Sequence, residues 1–379
     1  MQVGLDIRIL QESGAGRGIA TYIRGLLSGF EAAGLAADVT RFRYASPAPA
    51  GVAGAEGRVF TMRRRWREER LLADALNQVM TPWEARAARV AVLHAPSPYD
   101  LAWWYPCPLV VTVHDMAPLS APRGIVRTGL EHHFLYRFVR RAARVIAVSE
   151  FSRDEILRHL PIAPDRVVVI PEAAQPGLGR VEPDRVDEVR GRLGVRGDFL
   201  LHVGGYDRLE PRKDLGTLLQ AFAELRRAGR DLTLVLVGGG GPGESALAQL
   251  GTRAGVLSQV VRTGYVSPAD LAALYTGASA FLFPSTYEGF GLPLLEAMAC
   301  GTPCIAARAG SLPEVGGDAA LYVEAGDPSA FAARTAEVLD RPELRGGLSA
   351  RGIARAACFS WERTARLTWD VYRDAATAR

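Results

Sequence analysis

The fold is decided by residues 280–307, which read AFLFPSTYEGFGLPLLEAMACGTPCIAA. The stretch opens with an apolar run that predicts a buried strand, and it continues into the loop Ser285–Gly291. The apolar residues of Leu292–Cys300 predict a helix, and Gly301 is typical of the position just past a helix end. A second apolar strand, Cys304–Ala307, follows directly. The order strand, helix, strand predicts a parallel βαβ unit.

The same alternation of apolar strands and amphipathic helices extends through both halves of the chain. It implies an α/β fold made of two doubly wound parallel-sheet domains that face each other. Pro171–Gly197 is rich in proline, glycine and charge, and it predicts a linker with a short helix between the two domains. The other predicted strands are Val3–Arg8, Val90–Leu93, Leu109–Val113, Val145–Val148, Val167–Ile170, Phe199–Val203, Leu232–Val237 and Val260–Thr263.

The predicted domain boundaries follow from this linker. An N-terminal domain spans residues 1–175 and a C-terminal domain spans residues 176–360. The amphipathic stretch 361–379 either closes the C-terminal domain or packs back onto the N-terminal domain. Within the N-terminal domain, Ser152 and Glu155 predict a capping box at the start of a helix.

The composition is that of an ordinary globular protein with an unusual choice of basic residue. Among the 45 basic residues, Lys213 is the only lysine, which indicates that an ammonium group matters at that position. No apolar run reaches the about 18 residues of a membrane-spanning helix, so we expect none. The four scattered cysteines lack the spacing of a zinc site and favour a reducing, cytoplasmic location.

The net charge of +4 is unevenly distributed along the chain. Residues 41–144 contain 16 arginines and 8 acidic residues, an excess of 8 positive charges. Such a segment is most often a solvated surface, but it can also bind anionic phosphates, including those of a membrane. We expect no nucleic-acid partner, because no recognisable nucleic-acid-binding motif accompanies the charge.

A glycine-rich loop with Gly14, Gly16 and Gly18 follows the first predicted strand and precedes a helix. The backbone N–H groups and the helix dipole at such a position favour a phosphate, and a flexible turn is the alternative. Ile19 stands where a nicotinamide-binding fingerprint requires glycine, and the sequence has no Gly-Lys-Ser/Thr of a Walker A loop. The loop therefore predicts phosphate binding only weakly.

The loop of the opening stretch predicts the main ligand site. Gly289 and Gly291 let the backbone approach a ligand, and the start of the next helix offers N–H groups without helical partners. Glu288 lies on this loop, and Glu296 lies in the following helix among apolar neighbours that argue against a solvent-facing position. Two carboxylates suit the two diols of a nucleotide sugar, one on the ribose and one on the hexose.

Two adjacent cations, Arg212 and Lys213, lie between the predicted strand Phe199–Val203 and a helix. A buried pair of this kind can bind and neutralise a leaving diphosphate. The sequence has no Asp-x-Asp, the usual carboxylate arrangement for a metal-bound sugar nucleotide. We therefore expect an enzyme that uses a nucleotide sugar without a metal or any other cofactor.

These motifs together resemble glycosyltransferase family 4, whose members are retaining enzymes of the GT-B fold. The resemblance rests on the Arg212-Lys213 pair, the Glu288-x7-Glu296 spacing and the first glycine-rich loop. It implies two Rossmann-like domains around a central cleft. It also implies that the nucleotide sugar binds in the C-terminal domain, and that a glycan or lipid-linked acceptor binds mainly in the N-terminal domain.

The resemblance also implies roles for single residues. Arg212 and Lys213 would hold the pyrophosphate, Glu288 the donor sugar and Glu296 the ribose hydroxyls. His114 follows the predicted strand Leu109–Val113 and would contact the donor sugar, with Asp115 as its candidate support; a histidine that only caps the strand end is the alternative. The other implied donor-binding residues are Gly16 at the distal phosphate, Tyr265 and Val266 beside the base, Gly204, and the backbone of Phe290, Gly291 and Leu292.

The N-terminal pattern, from Val3–Asp6 through Arg17–Tyr22, resembles bacterial mannosyl- and rhamnosyltransferases of surface polysaccharide and lipopolysaccharide assembly. The first hypothesis is therefore retaining transfer of mannose from GDP-mannose. Donors such as UDP-glucose, UDP-GlcNAc or dTDP-rhamnose are alternatives, and a GT-B nucleotide-sugar epimerase is another. By family analogy a phosphate oxygen takes the acceptor proton, so we assign no general base. We expect a cytoplasmic enzyme that binds the inner membrane face through its arginine-rich segment.

Overall fold

The computed structural model describes residues 1–11, 18–44, 58–62, 70–99, 101–120, 136–205, 210–239, 241 and 243–377. These residues divide into two compact units. The first contains the described residues of Met1–Ser120, Thr128–Pro176 and Phe359–Arg379, and the second contains those of Gly177–Cys358. Each unit is an α/β domain with its own parallel sheet, as the alternation of strands and helices predicts.

The sheet of the first unit has seven strands in the order β3-β2-β1-β4-β5-β6-β7, and every neighbouring pair is parallel. All five residues of β5 (LVVTV) are buried, as expected of a strand that is covered on both faces. The strands are β1 Val3–Asp6, β2 Val39–Tyr44, β3 Arg58–Met62, β4 Val92–Ala95, β5 Leu109–Val113, β6 Arg144–Ala147 and β7 Val167–Val169.

The sheet of the second unit has six parallel strands in the order β10-β9-β8-β11-β12-β13. Its core lies between this sheet and the helices, with Phe222 and Phe331 among the fully buried side chains. The strands are β8 Asp198–Val203, β9 Leu232–Val237, β10 Val260–Gly264, β11 Ala280–Phe283, β12 Cys304–Ala307 and β13 Ala320–Val323.

Helices lie on the crossovers between successive parallel strands, and the last three helices follow β13. Their bounds are α1 Gly18–Ala32, α2 Arg70–Ala88, α3 Ala117–Ser120, α4 Glu150–His159, α5 Pro183–Leu193, α6 Leu215–Arg227, α7 Gly243–Ala254, α8 Pro268–Gly277, α9 Leu292–Ala299, α10 Leu312–Gly316, α11 Pro328–Asp340, α12 Pro342–Ala357 and α13 Trp361–Thr377.

The direction in which the chain crosses each sheet reverses at one place, and this place locates the ligand crevice. In the second sheet the chain moves outward from β8 through β9 to β10, then returns to β11 on the other side of β8. The loops that follow β8 and β11 therefore diverge at the carboxyl edge of the sheet. Ligands of open α/β sheets bind at such a switch point. The corresponding point of the first sheet lies between β1 and β4.

The last helix, α13, packs with the first unit. Its Trp361 Nε1 donates to the Ala174 carbonyl at 2.8 Å, and its Thr364 Oγ1 donates to the Pro171 carbonyl at 2.7 Å. Glycines at two positions of α1 let the two helices approach: an added Cβ on Gly25 would lie 2.0 Å from the Trp361 ring, and one on Gly29 would lie 2.1 Å from the Trp361 carbonyl oxygen. The side chains of α13 complete the core of this unit.

Two local predictions are wrong. The fourth strand begins at Val92 instead of Val90, because Val90 still belongs to the connection after α2, and His94 consequently lies within the strand. The helix α4 is capped by Ser149, whose side chain accepts from the Ser152 backbone N–H at 3.0 Å, so Ser152 is the third helical residue and not the cap.

Some predicted features lie outside the described residues, namely Gly14 and Gly16 of the first loop and part of the arginine-rich segment. In the portion of the chain that the structure covers, no helix combines the length and the apolarity needed to span a bilayer.

Candidate functional site

The loops after β8 and β11 meet at the switch point of the second sheet. A short 3-10 turn, Pro211–Lys213, presents the two cations just before α6. The Thr286 backbone N–H and its Oγ1 both donate to the Arg212 carbonyl, at 2.8 and 3.2 Å. This contact joins the cation-bearing loop to the loop that carries Glu288.

The side chains of Arg212, Lys213 and Glu288 form one charged cluster. Lys213 Nζ lies 2.6 Å from Glu288 Oε1, and Arg212 Nη1 lies 3.7 Å from Glu288 Oε2. Ser285 Oγ donates to Glu288 Oε1 at 2.6 Å, and Arg212 Nε donates to Glu210 at 2.8 Å. The three side chains of the cluster are each less than a fifth exposed. The sequence-predicted residues of the diphosphate and sugar sites are thus brought together.

Charge, and not burial, sets the protonation of Glu288. Burial acts to raise the pKa of its carboxyl group. The positive charges of Lys213 and Arg212, with hydrogen bonds from Lys213 and Ser285, outweigh burial and hold the pKa below its ordinary value. Glu288 is therefore a carboxylate that accepts hydrogen bonds.

The backbone of Glu288 is fixed by the turn that follows β12. Ser311 donates to the Glu288 carbonyl oxygen from both its backbone N–H and its Oγ, each at 3.1 Å. Gly310 has a φ of +56°, and an added Cβ there would lie 2.5 Å from the same carbonyl oxygen. Only glycine lets this turn approach so closely in that backbone conformation.

The start of α9 lies immediately after the cluster. Gly291 is its N-cap residue, with a φ of +96°, and Phe290 is buried beside it. The backbone from Phe290 to Leu292 therefore forms a helix N-terminus that favours an anion. Glu296, in the second turn, is 6% exposed and accepts a hydrogen bond from the Tyr275 hydroxyl at 3.2 Å. A solvent-facing position for Glu296 is excluded by this burial.

The carboxyl ends of β8, β9 and β10 pack tightly through glycines. The Gly204 backbone N–H donates to the Val237 carbonyl at 3.1 Å, and an added Cβ on Gly238 would lie 2.5 Å from the Gly204 carbonyl oxygen. Tyr265, directly after β10, is 62% exposed, and the neighbouring Val266 is half-buried. An exposed aromatic ring is thus available at this edge of the second sheet.

His114 lies at the carboxyl end of β5 in the first unit, and both of its ring nitrogens face acceptors. Its Nδ1 lies 2.8 Å from Glu172 Oε1, and its Nε2 lies 2.9 Å from the Pro96 carbonyl oxygen. An imidazole can donate from both nitrogens only when it is protonated. Burial acts to lower the pKa of His114, but Glu172 above all, with Pro96 and Asp115, outweighs burial and raises it.

The main support of His114 is therefore Glu172, and Asp115, the candidate named from the sequence, contributes only a weaker charge interaction. Asp115 Oδ1 instead accepts from the Ala117 backbone N–H at 3.1 Å and caps the short helix α3. Glu172 is 3% exposed and comes from the segment after β7, which is 58 positions along the chain from His114. An acidic residue just past a strand end was the only sequence signal for it.

His94 has a structural role. Its Nδ1 lies 2.6 Å from the Tyr372 hydroxyl, and its Nε2 lies 2.8 Å from Thr112 Oγ1, which in turn lies 3.0 Å from the Tyr22 hydroxyl. Burial, together with the charge of His114, lowers the pKa of His94 to about 3. The ring is neutral and ties α13 to the sheet of the first unit.

The structure also supplies site residues that the sequence motifs did not mark. Glu172, Tyr275 and Ser285 make hydrogen bonds with predicted side chains, whereas Gly310 and Ser311 contact the Glu288 backbone. Ser285 lies on the Glu288 loop itself, and the other four come from other loops and helices. Gly16 lies outside the described residues. No group of three or more potential metal ligands occurs among the residues whose positions are described.

Comparison with known sequences identifies the chain. The family model described as "Glycosyltransferase Family 4" matches residues 16–175, and the model described as "Glycosyl transferases group 1" matches residues 198–355. The O-antigen chain mannosyltransferase B of Escherichia coli is 33% identical over 331 residues, covering 84% of this chain and 83% of that protein. The chain is a glycosyltransferase of family 4. The resemblance inferred from its motifs is thereby confirmed.

Further similarities agree with this assignment. A D-inositol 3-phosphate glycosyltransferase of Kineococcus radiotolerans is 30% identical to this glycosyltransferase over 410 aligned positions, covering 97% of this chain and 92% of that protein. The solved structure of a sucrose-phosphate synthase from Thermosynechococcus elongatus superposes with a TM-score of 0.81 at 22% identity, over 100% of both chains. The GT-B fold with two Rossmann-like domains is thus confirmed, and the enzyme is a hexosyltransferase.

Proposed function

We propose that this glycosyltransferase moves mannose from GDP-mannose to a glycan or lipid-linked saccharide acceptor, with retention at the anomeric carbon. The Escherichia coli relative, named as an O-antigen chain mannosyltransferase, supports mannose as the sugar. The observation that carries the chemistry is the cluster of Lys213, Arg212 and Glu288 at the switch point of the second sheet.

We propose that the donor diphosphate replaces the Glu288 carboxylate as the anion that Lys213 and Arg212 bind. Without donor, Lys213 and Arg212 pair with the Glu288 carboxylate. A diphosphate carries more charge than one carboxylate and accepts several charge-assisted hydrogen bonds, so it competes for both cations. Glu288, released from Lys213, can then accept hydrogen bonds from hydroxyls of the donor sugar.

The same groups stabilise departure of the nucleoside diphosphate. Negative charge grows on the leaving phosphate as the bond to the sugar breaks, and preplaced cations and amides lower the energy of that state. Arg212 and Lys213 supply the cations, and the backbone from Phe290 to Leu292 supplies the N–H groups at the start of α9. We propose that these cations and amides take the place of a metal ion, so that activity is insensitive to chelators.

The rest of the donor is assigned by position. Glu296, buried in α9, would accept the ribose hydroxyls beside the Tyr275 hydroxyl. Tyr265 and Val266 would border the base. Gly204, directly after β8, would let the donor approach the main chain of the protein. Gly16 would approach the distal phosphate.

His114 is proposed to act as a fixed positive charge toward the donor sugar and not as a base. Both of its nitrogens donate to protein acceptors, so neither has a lone pair free to take a proton. The acceptor hydroxyl would attack from the face that the diphosphate leaves, and a phosphate oxygen would take its proton.

The test is incubation of the purified enzyme with GDP-mannose, UDP-glucose, UDP-GlcNAc and dTDP-rhamnose, each with a synthetic mannoside acceptor. We expect product only with GDP-mannose, an α-anomeric signal in the proton NMR spectrum, and the same rate with and without chelator. Product from another donor would refute the donor assignment, and an inverted anomer would refute retention. A new hexose isomer on an intact nucleotide would indicate the alternative epimerase.

A second acceptor class is favoured by one observation. The Kineococcus radiotolerans relative is named for D-inositol 3-phosphate. The same donor panel with D-inositol 3-phosphate in place of the mannoside separates the two acceptors. We expect no product with D-inositol 3-phosphate, and product would favour this second acceptor class over the saccharide.

A further inference from the structure

The amino-terminal edge of the first sheet carries a hollow of about 590 Å³. The hollow is lined by residues at the amino-terminal ends of β5, β6 and β7. His114 lies at the other, carboxyl-terminal, end of these strands. We call it the amino-edge hollow and define it by Trp103, Trp104, Arg141, Arg144 and Arg166. None of these residues takes part in the donor site.

The aromatic part of the hollow is unusually exposed. Trp103 is 59% exposed and its neighbour Trp104 is 49% exposed. The segment that carries them packs against α2, where Gln78 Nε2 donates to the Leu101 carbonyl at 3.1 Å. The same helix presents Trp83, which is 69% exposed. The two adjacent exposed indoles of the hollow are apolar surface of the kind that marks an interaction site.

The charged part of the hollow is unbalanced. Arg141 donates to the Trp103 carbonyl, and Arg166 donates to the Arg140 carbonyl at 2.9 Å, so these contacts fix the guanidinium groups without neutralising them. Only Arg144 has a carboxylate partner among the described residues, Asp374 at 2.6 Å. The hollow therefore presents positive charge beside the indoles.

We propose that the amino-edge hollow and its exposed tryptophans bind the surface of an anionic phospholipid bilayer. Arginines attract and hydrogen-bond lipid phosphates, and indole rings insert at the level of the headgroups. A small soluble anion would need only the arginines. Because the exposed indoles lie beside the arginines, the surface suits an extended partner that is both anionic and apolar.

This placement has a consequence for the acceptor, which rests on the proposed function. The strands β4 to β6 are 4–5 residues long, which corresponds to about 15 Å from one edge of the sheet to the other. With the hollow on the bilayer, His114 at the far edge would lie about that distance from the headgroups. A lipid-linked acceptor would be elongated at sugars that stand away from the bilayer and not at the sugar next to its diphosphate.

The test is sedimentation with phosphatidylcholine vesicles that contain or lack phosphatidylglycerol, over a range of salt concentrations. We expect binding only to the anionic vesicles. Two double variants, Trp103→Ala with Trp104→Ala and Arg141→Gln with Arg166→Gln, should each weaken it about tenfold or more. The matched control is Arg345→Gln with Arg351→Gln, two exposed arginines of α12 in the second unit, which should bind as the wild type does.

A second measurement separates insertion from simple charge attraction. Tryptophan fluorescence should be quenched by brominated lipid in the wild type and much less in the Trp103→Ala, Trp104→Ala variant. Donor hydrolysis by every variant in vesicle-free solution should match the wild type, so a failure here is distinguishable from a failure of the proposed function. No vesicle binding, wild-type binding by both double variants, or equal binding to heparin without lipid quenching would overturn the proposal.

Discussion

Lys213 is the residue on which the proposed chemistry depends most. It survives as the only lysine among 45 basic residues, and its Nζ occupies a narrow position 2.6 Å from Glu288 Oε1 and 5.8 Å from the centre of the Phe283 ring. A compact ammonium group fits between a carboxylate and a ring where a planar guanidinium would need more space. An arginine at this position would therefore not make the same contacts.

We predict that Lys213→Ala lowers kcat/KM by on the order of tenfold to a thousandfold, because one preplaced cation is lost from the leaving diphosphate. Arg212→Ala should fall in the same range. Initial rates of nucleoside diphosphate release measure the effect, with the exposed Arg345→Ala as a control that should leave the rate unchanged. Full activity in both site variants would remove these residues from the mechanism.

Glu172 is predicted to set the pH dependence through His114. The groups that face the His114 ring are Glu172 and Asp115, the Tyr22 ring at 4.8 Å, and neutral His94. Since the pKa of His114 is raised, the charged form is present below that pKa and is lost as the pH rises through it. Glu172→Gln removes the main cause of the shift, so the alkaline loss of kcat/KM should move to lower pH.

The measurement is the pH profile of kcat/KM together with an NMR titration of the His114 ring. Asp115→Asn is the matched control, because Asp115 contributes least to the raised pKa and should move both curves far less. Glu172→Asp should recover part of the wild-type profile. Identical profiles for Glu172→Gln and the wild type would show that the ion pair has no part in the reaction.

At the scale of elements, the contact between α1 and α13 holds the first unit together. It depends on two glycines one helical turn apart, because the Trp361 ring and backbone occupy the space of their missing side chains. We predict that Gly25→Ala reduces the free energy of unfolding of this unit by about 1–3 kcal/mol through overpacking.

Urea unfolding followed by tryptophan fluorescence measures this change. Gly18→Ala in the same helix is the control, because an added Cβ there has nothing within 4 Å and alanine favours a helix more than glycine does. Equal unfolding midpoints for Gly25→Ala and Gly18→Ala would contradict the packing described here.

At the scale of the whole molecule, the two units are predicted to respond differently to acid. His202 is the only histidine between residues 177 and 358, and it is fully buried, with its Nδ1 3.0 Å from the Leu282 carbonyl. Burial lowers its pKa to about 4, so it takes up a proton near pH 6.5 only on unfolding. The second unit should lose up to about 2 kcal/mol of stability as the pH falls from 6.5 to about 5. The first unit should change less, because the lowered pKa of His94 and the raised pKa of His114 act in opposite directions.

The two responses can be separated by their probes. Every tryptophan among the described residues, five of the six in the chain, falls within the first unit, so fluorescence follows that unit, whereas far-ultraviolet circular dichroism follows both. His202→Asn should flatten the acid dependence seen by circular dichroism and leave the fluorescence transition unchanged. A second unit whose stability does not change between these pH values would refute a neutral, buried His202.

The sequence was sufficient to predict the architecture and the charged side chains of the site. It was not sufficient to predict the residues that these side chains contact. Strand and helix periodicity is local, so the two parallel sheets and the loops with Lys213 and Glu288 follow from short stretches. The partners depend on contacts between distant segments. His114 pairs with Glu172 and not with its neighbour Asp115, and Glu288 is held by Ser311 from the next loop. The domain against which α13 packs could not be predicted either, because its apolar face alone fits both domains.

The solitary ammonium group at the centre of the charged cluster gives this enzyme a built-in spectroscopic reporter. Reductive methylation with isotopically enriched formaldehyde would label Lys213 and, besides it, only the terminal amine. The resulting spectrum contains one side-chain resonance, free of the overlap that most proteins produce. Its chemical shift would follow the move of the nitrogen from carboxylate to phosphate as the nucleotide sugar is added, without any substitution in the chain.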